Sequence, residues 1–204
     1  MDLAIVIFLL GGLFLGWSLG SNDAANVFGT AVGTRMVRFK TAAIVCSLFI
    51  ILGAVISGSG TTETLGKLGA INALPGAFAA CVAAGLSVYI MTKFGLPVST
   101  TQAIVGAIVG WNLYTGSSTN IKVLLTILST WILCPIIAAL IAMLFFILTK
   151  KLLKNTTWHI LRLDAYTRTA LLIAGAFGAY SLGANNIANV MGVFVPIAPF
   201  ADIQ

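Results

Sequence analysis

Six stretches of this chain carry no charged residue: 3–22, 41–62, 68–92, 94–121, 123–149 and 169–201. Each reaches the roughly 18–20 residues an α-helix needs to cross the hydrocarbon core of a bilayer. Charged residues make up 8% of the chain and hydrophobic ones 59%, where a soluble domain carries about a quarter charged. Apolar surface in that excess has no aqueous home. The fold class that follows is an all-α integral membrane protein. Gly and Pro interrupt runs 68–92 and 94–121, so not every run is one straight helix.

The net charge is +6. In a membrane protein a basic balance reports cytoplasmic loops, so nucleic acid is not an expected partner. Cys46, Cys81 and Cys134 lie inside apolar runs and match no metal-ligand spacing; they read as small packing residues. The N-terminus lacks the basic region and cleavage pattern of a signal peptide, so the first segment is expected to stay as a helix. No Ser/His, paired-Asp or H-E-x-x-H constellation is present, and an enzyme is not expected. Glu63 and His159 read as solvated, and Trp17, Trp111, Trp131 and Trp158 as interface or packing aromatics.

Within these apolar runs lies a repeated polar phrase. Ser18–Gly29 and Ser181–Gly192 share eight of twelve residues at a constant offset of 163, among them Asn22/Asn185 and Asn26/Asn189. Asp23 of the first copy aligns with Asn186 of the second. Acceptor-rich clusters at membrane depth are costly and mark ion or substrate pathways, although the same residue types also cap helices.

The Gly20-Ser21-Asn22 phrase predicts a break after a first crossing over 3–19, with 24–34 re-entrant. Residues 41–57 form a second crossing, followed by a flexible loop over 57–62. Pro75 opens a third helix, closed by Lys93. Ser99 and Gln102 have capping-box spacing. The hydroxyls of Ser99, Thr100 and Thr101 at a helix start make a natural anion site. Segment 97–112 is expected to cross, as is 123–149 with a kink at Pro135. A basic linker, 150–168, leads to a last crossing.

On this plan nine basic residues (Arg35, Arg38, Lys40, Lys93, Lys150, Lys151, Lys154, Arg162 and Arg168) share one side, leaving Lys67 and Lys122. That bias places the N-terminus outside the cell. The two motif copies then enter from opposite sides, which is an inverted repeat, the architecture of secondary transporters with broken or re-entrant helices. The tail, with Asp202 and no Lys or Arg over 193–204, fits the opposite orientation. The domain reading is 1–149 as a first repeat, 150–168 as a basic cytoplasmic linker and 169–204 as the start of a second, incomplete repeat.

The chain resembles the inorganic phosphate transporter (PiT) family. The likeness is carried by Gly20-Ser21-Asn22-Asp23-Ala24-Ala25-Asn26, by Pro97-Val98-Ser99-Thr100-Thr101-Gln102-Ala103 and by the second motif copy at 183–189. It implies phosphate transport across the plasma membrane coupled to Na⁺ or H⁺, without a tightly bound cofactor. Ser99, Thr100, Thr101, Asn22 and Asn185 would bind substrate. Asp23, Asn26, Asn186 and Asn189 would hold the coupling cation. Gln102 stands where the family usually has His, and Asn186 where Asp is usual. Family members have two full repeats, so a second chain or another copy of this one is the expected partner. A sulfate permease of the same family and a non-transporting accessory fragment are the alternatives.

Overall fold

The computed structural model describes residues 3–59, 65, 67–68, 71, 73–154, 159–195 and 197. Glu63, Trp158, Asp202 and the 60–62 part of the expected flexible loop lie outside the described residues. Among the described residues the regular elements are six α-helices: α1 (Leu3–Gly33), α2 (Phe39–Ser57), α3 (Leu74–Lys93), α4 (Thr100–Thr115), α5 (Ile121–Lys154) and α6 (Ile160–Met191). Five contain stretches long and apolar enough to cross a membrane, α4 being the exception. The chain is a multi-pass, all-α membrane protein.

Two expectations exchange places. α1 is not broken at Gly20-Ser21-Asn22 but runs unbroken for 31 residues, about 46 Å at 1.5 Å per residue. Residues 24–33 therefore continue the crossing and are not re-entrant. A glycine inside a helix costs only about 1 kcal/mol, whereas exposing backbone groups to lipid costs several. The Ser21 hydroxyl returns to the Ser18 carbonyl, 2.7 Å away, without opening the helix.

The break lies instead between α3 and α4. Gly95 adopts φ +70°. Its N–H donates to the Thr92 carbonyl, and that of Leu96 to the Met91 carbonyl, at 3.0 Å each. This is the Schellman ending, which needs a left-handed residue that glycine supplies without strain. Pro97 prevents resumption of the helix. Ser99 then caps α4, its Oγ accepting from the Gln102 N–H at 3.3 Å.

α3 and α4 thus form a hairpin. α3 runs parallel to α1: Phe8 meets Phe78, Gly85 meets Phe14, and Trp17 lies against Tyr89. The hairpin tip reaches Asn22, eleven residues short of the end of α1, leaving about 16 Å of α1 beyond it. The expected crossing over 97–112 is therefore a 16-residue arm, roughly 24 Å long, returning to the side it came from. The hydrogen bond from Asn120 N–H to the Leu68 carbonyl ties its exit to the entry of α3. Lys93 sits at this tip over the Tyr89 ring, not with the other basic residues.

Most of the 150–168 segment is helical too. Lys150–Lys154 complete α5, Ile160–Arg168 open α6, and only 155–159 separate the two. The second motif copy lies within the unbroken α6. α5 continues through Pro135 and is exposed along almost its whole length, with Ile127 buried and Cys134 exposed rather than packed.

α6 runs antiparallel to α1, Gly175 lying against Phe28 and Val190 against Gly12 and Gly16. It packs most extensively on α2. A side chain added at Gly183 would run into the Ile50 carbonyl, and one at Gly53 into the Tyr180 carbonyl. Backbones in this close approach need glycine. Gly20, the counterpart of Gly183 in the first motif copy, has nothing within 4 Å of an added Cβ. Gly183→Ala should therefore lower the unfolding temperature in detergent, by a cost of about 1–3 kcal/mol, while Gly20→Ala leaves it unchanged or raised. Equal effects at both positions would contradict this packing.

Candidate functional site

Three elements converge on Asp23, two-thirds along α1. Its Oδ2 accepts from the Thr100 hydroxyl at the first turn of α4 and from the Asn186 amide on α6, at 3.0 Å each. Asp23 and Asn186 are separated by 163 residues, the offset between the motif copies. The two equivalent positions of the repeat are thus in contact. Among the described residues no basic side chain pairs with Asp23.

Behind this pair the hydrogen bonds run in one direction. Asn189, 1% exposed, donates to Asn186 Oδ1 at 2.9 Å and to Thr101 Oγ1 at 3.1 Å. Asn185 also donates to Asn186 Oδ1, at 3.3 Å. Asn186, 6% exposed, passes its own donor to Asp23. The second copy of the motif thus presents its amides toward the first, and the carboxylate is the terminal acceptor.

Asn22 does something else. Its Nδ2 donates to Thr92 Oγ1 at 2.9 Å and to the Leu96 carbonyl at 3.5 Å. Its Oδ1 accepts from the Val98 N–H at 3.4 Å. Only 7% exposed, it clamps the hairpin tip to α1. Thr92, Leu96 and Val98 are the partners that sequence reasoning misses. Their one signal is position, immediately around the Gly95-Leu96-Pro97 turn.

Of the nine residues singled out from sequence, these contacts join Asp23, Thr100, Thr101, Asn185, Asn186 and Asn189 into one network, while those of Asn22 run to Thr92, Leu96 and Val98. Ser99 caps its own helix and Asn26 is exposed. Among the described residues no group of three His, Cys, Asp or Glu side chains could hold a metal ion. A cation here would be met by one carboxylate and by neutral amide and hydroxyl oxygens. Anion donors are at hand as well: Gln102 and Ala103 give their N–H groups to Ser99, leaving those of Thr100 and Thr101 without a partner among the described residues, at the positive end of α4.

Asn22→Ala removes both donors and the acceptor at the hairpin tip, including the partner of the Val98 N–H. A lost partner of this kind costs about 1–3 kcal/mol. Amide hydrogen exchange over 94–99 should quicken correspondingly in the variant, with α2 and α6 unaffected. Unchanged exchange over 94–99 would show that the tip is held by other contacts.

Residues 19–165 match the model of the phosphate transporter family. A protein of Thermococcus kodakarensis named as a phosphate permease is 38% identical over 166 residues, covering 76% of this chain and 41% of its own length. The chloroplastic inorganic phosphate transporter 2-1 of Arabidopsis thaliana is 31% identical over 150 residues, 68% of this chain and 25% of its own length. The chain thus spans less than half the length of these relatives. The fold is like that of a solved structure, the sodium-dependent phosphate transporter, with a TM-score of 0.74 and 24% identity, over 93% of this chain and 66% of the other. The chain belongs to the phosphate transporter family.

Proposed function

We propose that this chain takes part in moving inorganic phosphate across the plasma membrane together with a cation, with Asp23 as the point of coupling. The observation that carries this is the meeting of both motif copies and the start of α4 on one carboxylate oxygen. Asp23 and Asn189, joined by Asn26 when the site is complete, hold the cation, and Asn186 orients the carboxylate by donating to it. Phosphate lies on the free N–H groups of Thr100 and Thr101, with the exposed Ser99 and Asn185 side chains within its reach. Asn22 acts by holding the hairpin rather than by touching substrate.

Coupling follows from charge. An anion at the start of α4 lies close to the Asp23 carboxylate. At about 5 Å and an effective dielectric of about 20, like charges oppose each other by about 3 kcal/mol. A cation between them turns that repulsion into mutual attraction, so each solute raises the affinity for the other. The sodium dependence named for the fold neighbour favours Na⁺ over H⁺ as that cation.

The antiparallel meeting of the motif copies supports an inverted repeat. With Lys93 at the hairpin tip, eight of the nine basic residues remain toward one end of the bundle, at the α1–α2 and α5–α6 connections; Lys67 and Lys122 lie toward the other. That split favours an extracytoplasmic N-terminus. The exposed faces of α5 and of Ser181, Asn185 and Asn26 favour completion of the site by further membrane helices, from a second chain or another copy of this one.

In lipid nanodiscs, labelled phosphate should bind at least tenfold more tightly with Na⁺ than without, and Asp23→Asn should abolish that difference. Phosphate binding indifferent to cation in the wild type would remove this reading; displacement by sulfate as readily as by phosphate would change the substrate. In liposomes with a sodium gradient, accumulation is expected only from assemblies that contain more than one chain. Gradient-driven accumulation by a proven monomer contradicts the need for a partner.

Orientation has its own test. In a background lacking Cys46, Cys81 and Cys134, Lys67→Cys should react with an impermeant thiol reagent in intact cells and Lys154→Cys only after lysis. Equal labelling at both positions contradicts the inverted arrangement.

A further inference from the structure

Asp23 and Asn186 occupy the same place in the two motif copies and touch each other, yet one is a carboxylic acid and the other its amide. We infer that Asn186 sets the charge of the site, fixing it at one negative charge per chain and one co-transported monovalent cation on this carboxylate. The inference rests on the proposed function and specifies its stoichiometry.

The geometry gives Asn186 no freedom to do otherwise. Its Oδ1 is taken by the amides of Asn189 and Asn185, at 2.9 and 3.3 Å. Its Nδ2 is thereby turned to Asp23 Oδ2 at 3.0 Å. It is buried, so water does not replace either bond. An amide in this place offers the carboxylate a neutral donor and adds no charge of its own. It does part of what a cation would otherwise do, since the Asp23 oxygen it touches is already hydrogen-bonded. The Thr100 hydroxyl supplies the other donor to that oxygen, so Oδ1 of Asp23, which has no partner among the described residues, remains for a cation.

A carboxylate at 186 reverses this arrangement. Two acids with oxygens about 3 Å apart do not both stay ionised without a positive charge between them. The Asn189 and Asn185 amides, which now donate to Asn186 Oδ1, would donate equally to an aspartate oxygen. They would hold the new carboxylate in the place of the old amide. Asn186→Asp thus adds a second cation requirement without changing the helix or its neighbours.

The test is equilibrium binding of labelled Na⁺ to the purified chain in nanodiscs, with thermal unfolding followed against Na⁺ concentration. Wild type should bind one Na⁺ and Asn186→Asp two, and the dependence of unfolding temperature on the logarithm of Na⁺ concentration should steepen about twofold. A wild type that binds one Na⁺ and an Asn186→Asp variant that also binds one, with unchanged steepness, overturns the inference and leaves the proposed function standing. A wild type that binds no Na⁺ removes both. Should Asn186→Asp fail to fold, the exchanged variant Asp23→Asn with Asn186→Asp decides. It keeps one acid and one amide in contact; binding of one Na⁺ supports the inference, and binding of none overturns it.

Discussion

A carboxylate at membrane depth is tolerated only if its surroundings answer it, and much of this chain is arranged around that need. Placing an aspartate at the centre of a transmembrane helix costs about 2.5–3.5 kcal/mol on insertion scales. Asp23 is answered by neutral donors from two other elements, the Thr100 hydroxyl and the Asn186 amide. Each donor requires its element to be where it is. Thr100 requires the α3–α4 hairpin to stop at mid-α1, and Asn186 requires α6 to pass antiparallel to α1 in register with the first motif copy. A slip of one residue along α6 would rotate Asn186 by about 100° away from Asp23. The polar contacts therefore specify register, while dispersion and close packing hold the helices together.

That packing is made with small side chains. On α3, Ala77, Ala80, Cys81, Ala84 and Val88 are buried at spacings of three and four, so one face of the helix is nearly flat. α1 offers Gly11 and Gly12 to neighbouring helices, and α2 and α6 meet at Gly53 and Gly183. Lipid supplies no hydrophobic drive between helices, so contact area at short range does the work. α1 and α2, although consecutive, diverge and leave an apolar groove of about 670 Å³ lined by Gly20, Ala24, Ala25, Gly29, Cys46 and Ile50 among others.

How much of this can be read from the residues depends on what each signal reports. Length and charge locate the helices over 41–57, 75–92 and 123–149 closely, because burial of an uncharged run in lipid leaves little choice but a helix. The duplicated phrase and the 97–102 segment read as one site, and the structure brings them together through Thr100, Thr101, Asn186 and Asn189. The helix break falls at a different glycine from the one the sequence suggests. Gly20 and Gly95 look alike in sequence; the difference is that Gly95 is followed by Pro97, which removes a donor, while Gly20 is followed by Ser21 and Asn22, whose side chains find partners without unwinding the backbone. Asn22 reads as a ligand, and the structure gives its amide to the hairpin tip, for a related reason. Its partners include the Leu96 carbonyl and the Val98 N–H, and backbone groups leave no mark in a sequence. The 150–168 segment reads as a linker because it is basic, yet at the ends of α5 and α6 basic residues lie outside the apolar core of each crossing and do not interrupt the helix.

The same contacts rank the elements by how costly each is to move. Shifting α6 against α2 separates backbones that meet at Gly53 and Gly183 and disturbs the Asn186–Asp23 pair together with the amides behind it. Shifting the hairpin tip breaks the Asn22 contacts to Thr92, Leu96 and Val98, the Thr100 bond to Asp23 and the Asn189 bond to Thr101. Each of these ends on a side chain, and hydroxyls and amides exchange such partners for water or for a solute at little net cost. Among the described residues, irregular backbone at this depth is confined to residues 94–99, where Gly95 and the two Schellman hydrogen bonds already satisfy the end of α3. The fold thus places its rigid pairing on the α1–α2–α6 side of Asp23 and its exchangeable bonds on the α4 side, where a solute that neutralises the carboxylate would compete with the Thr100 hydroxyl for it.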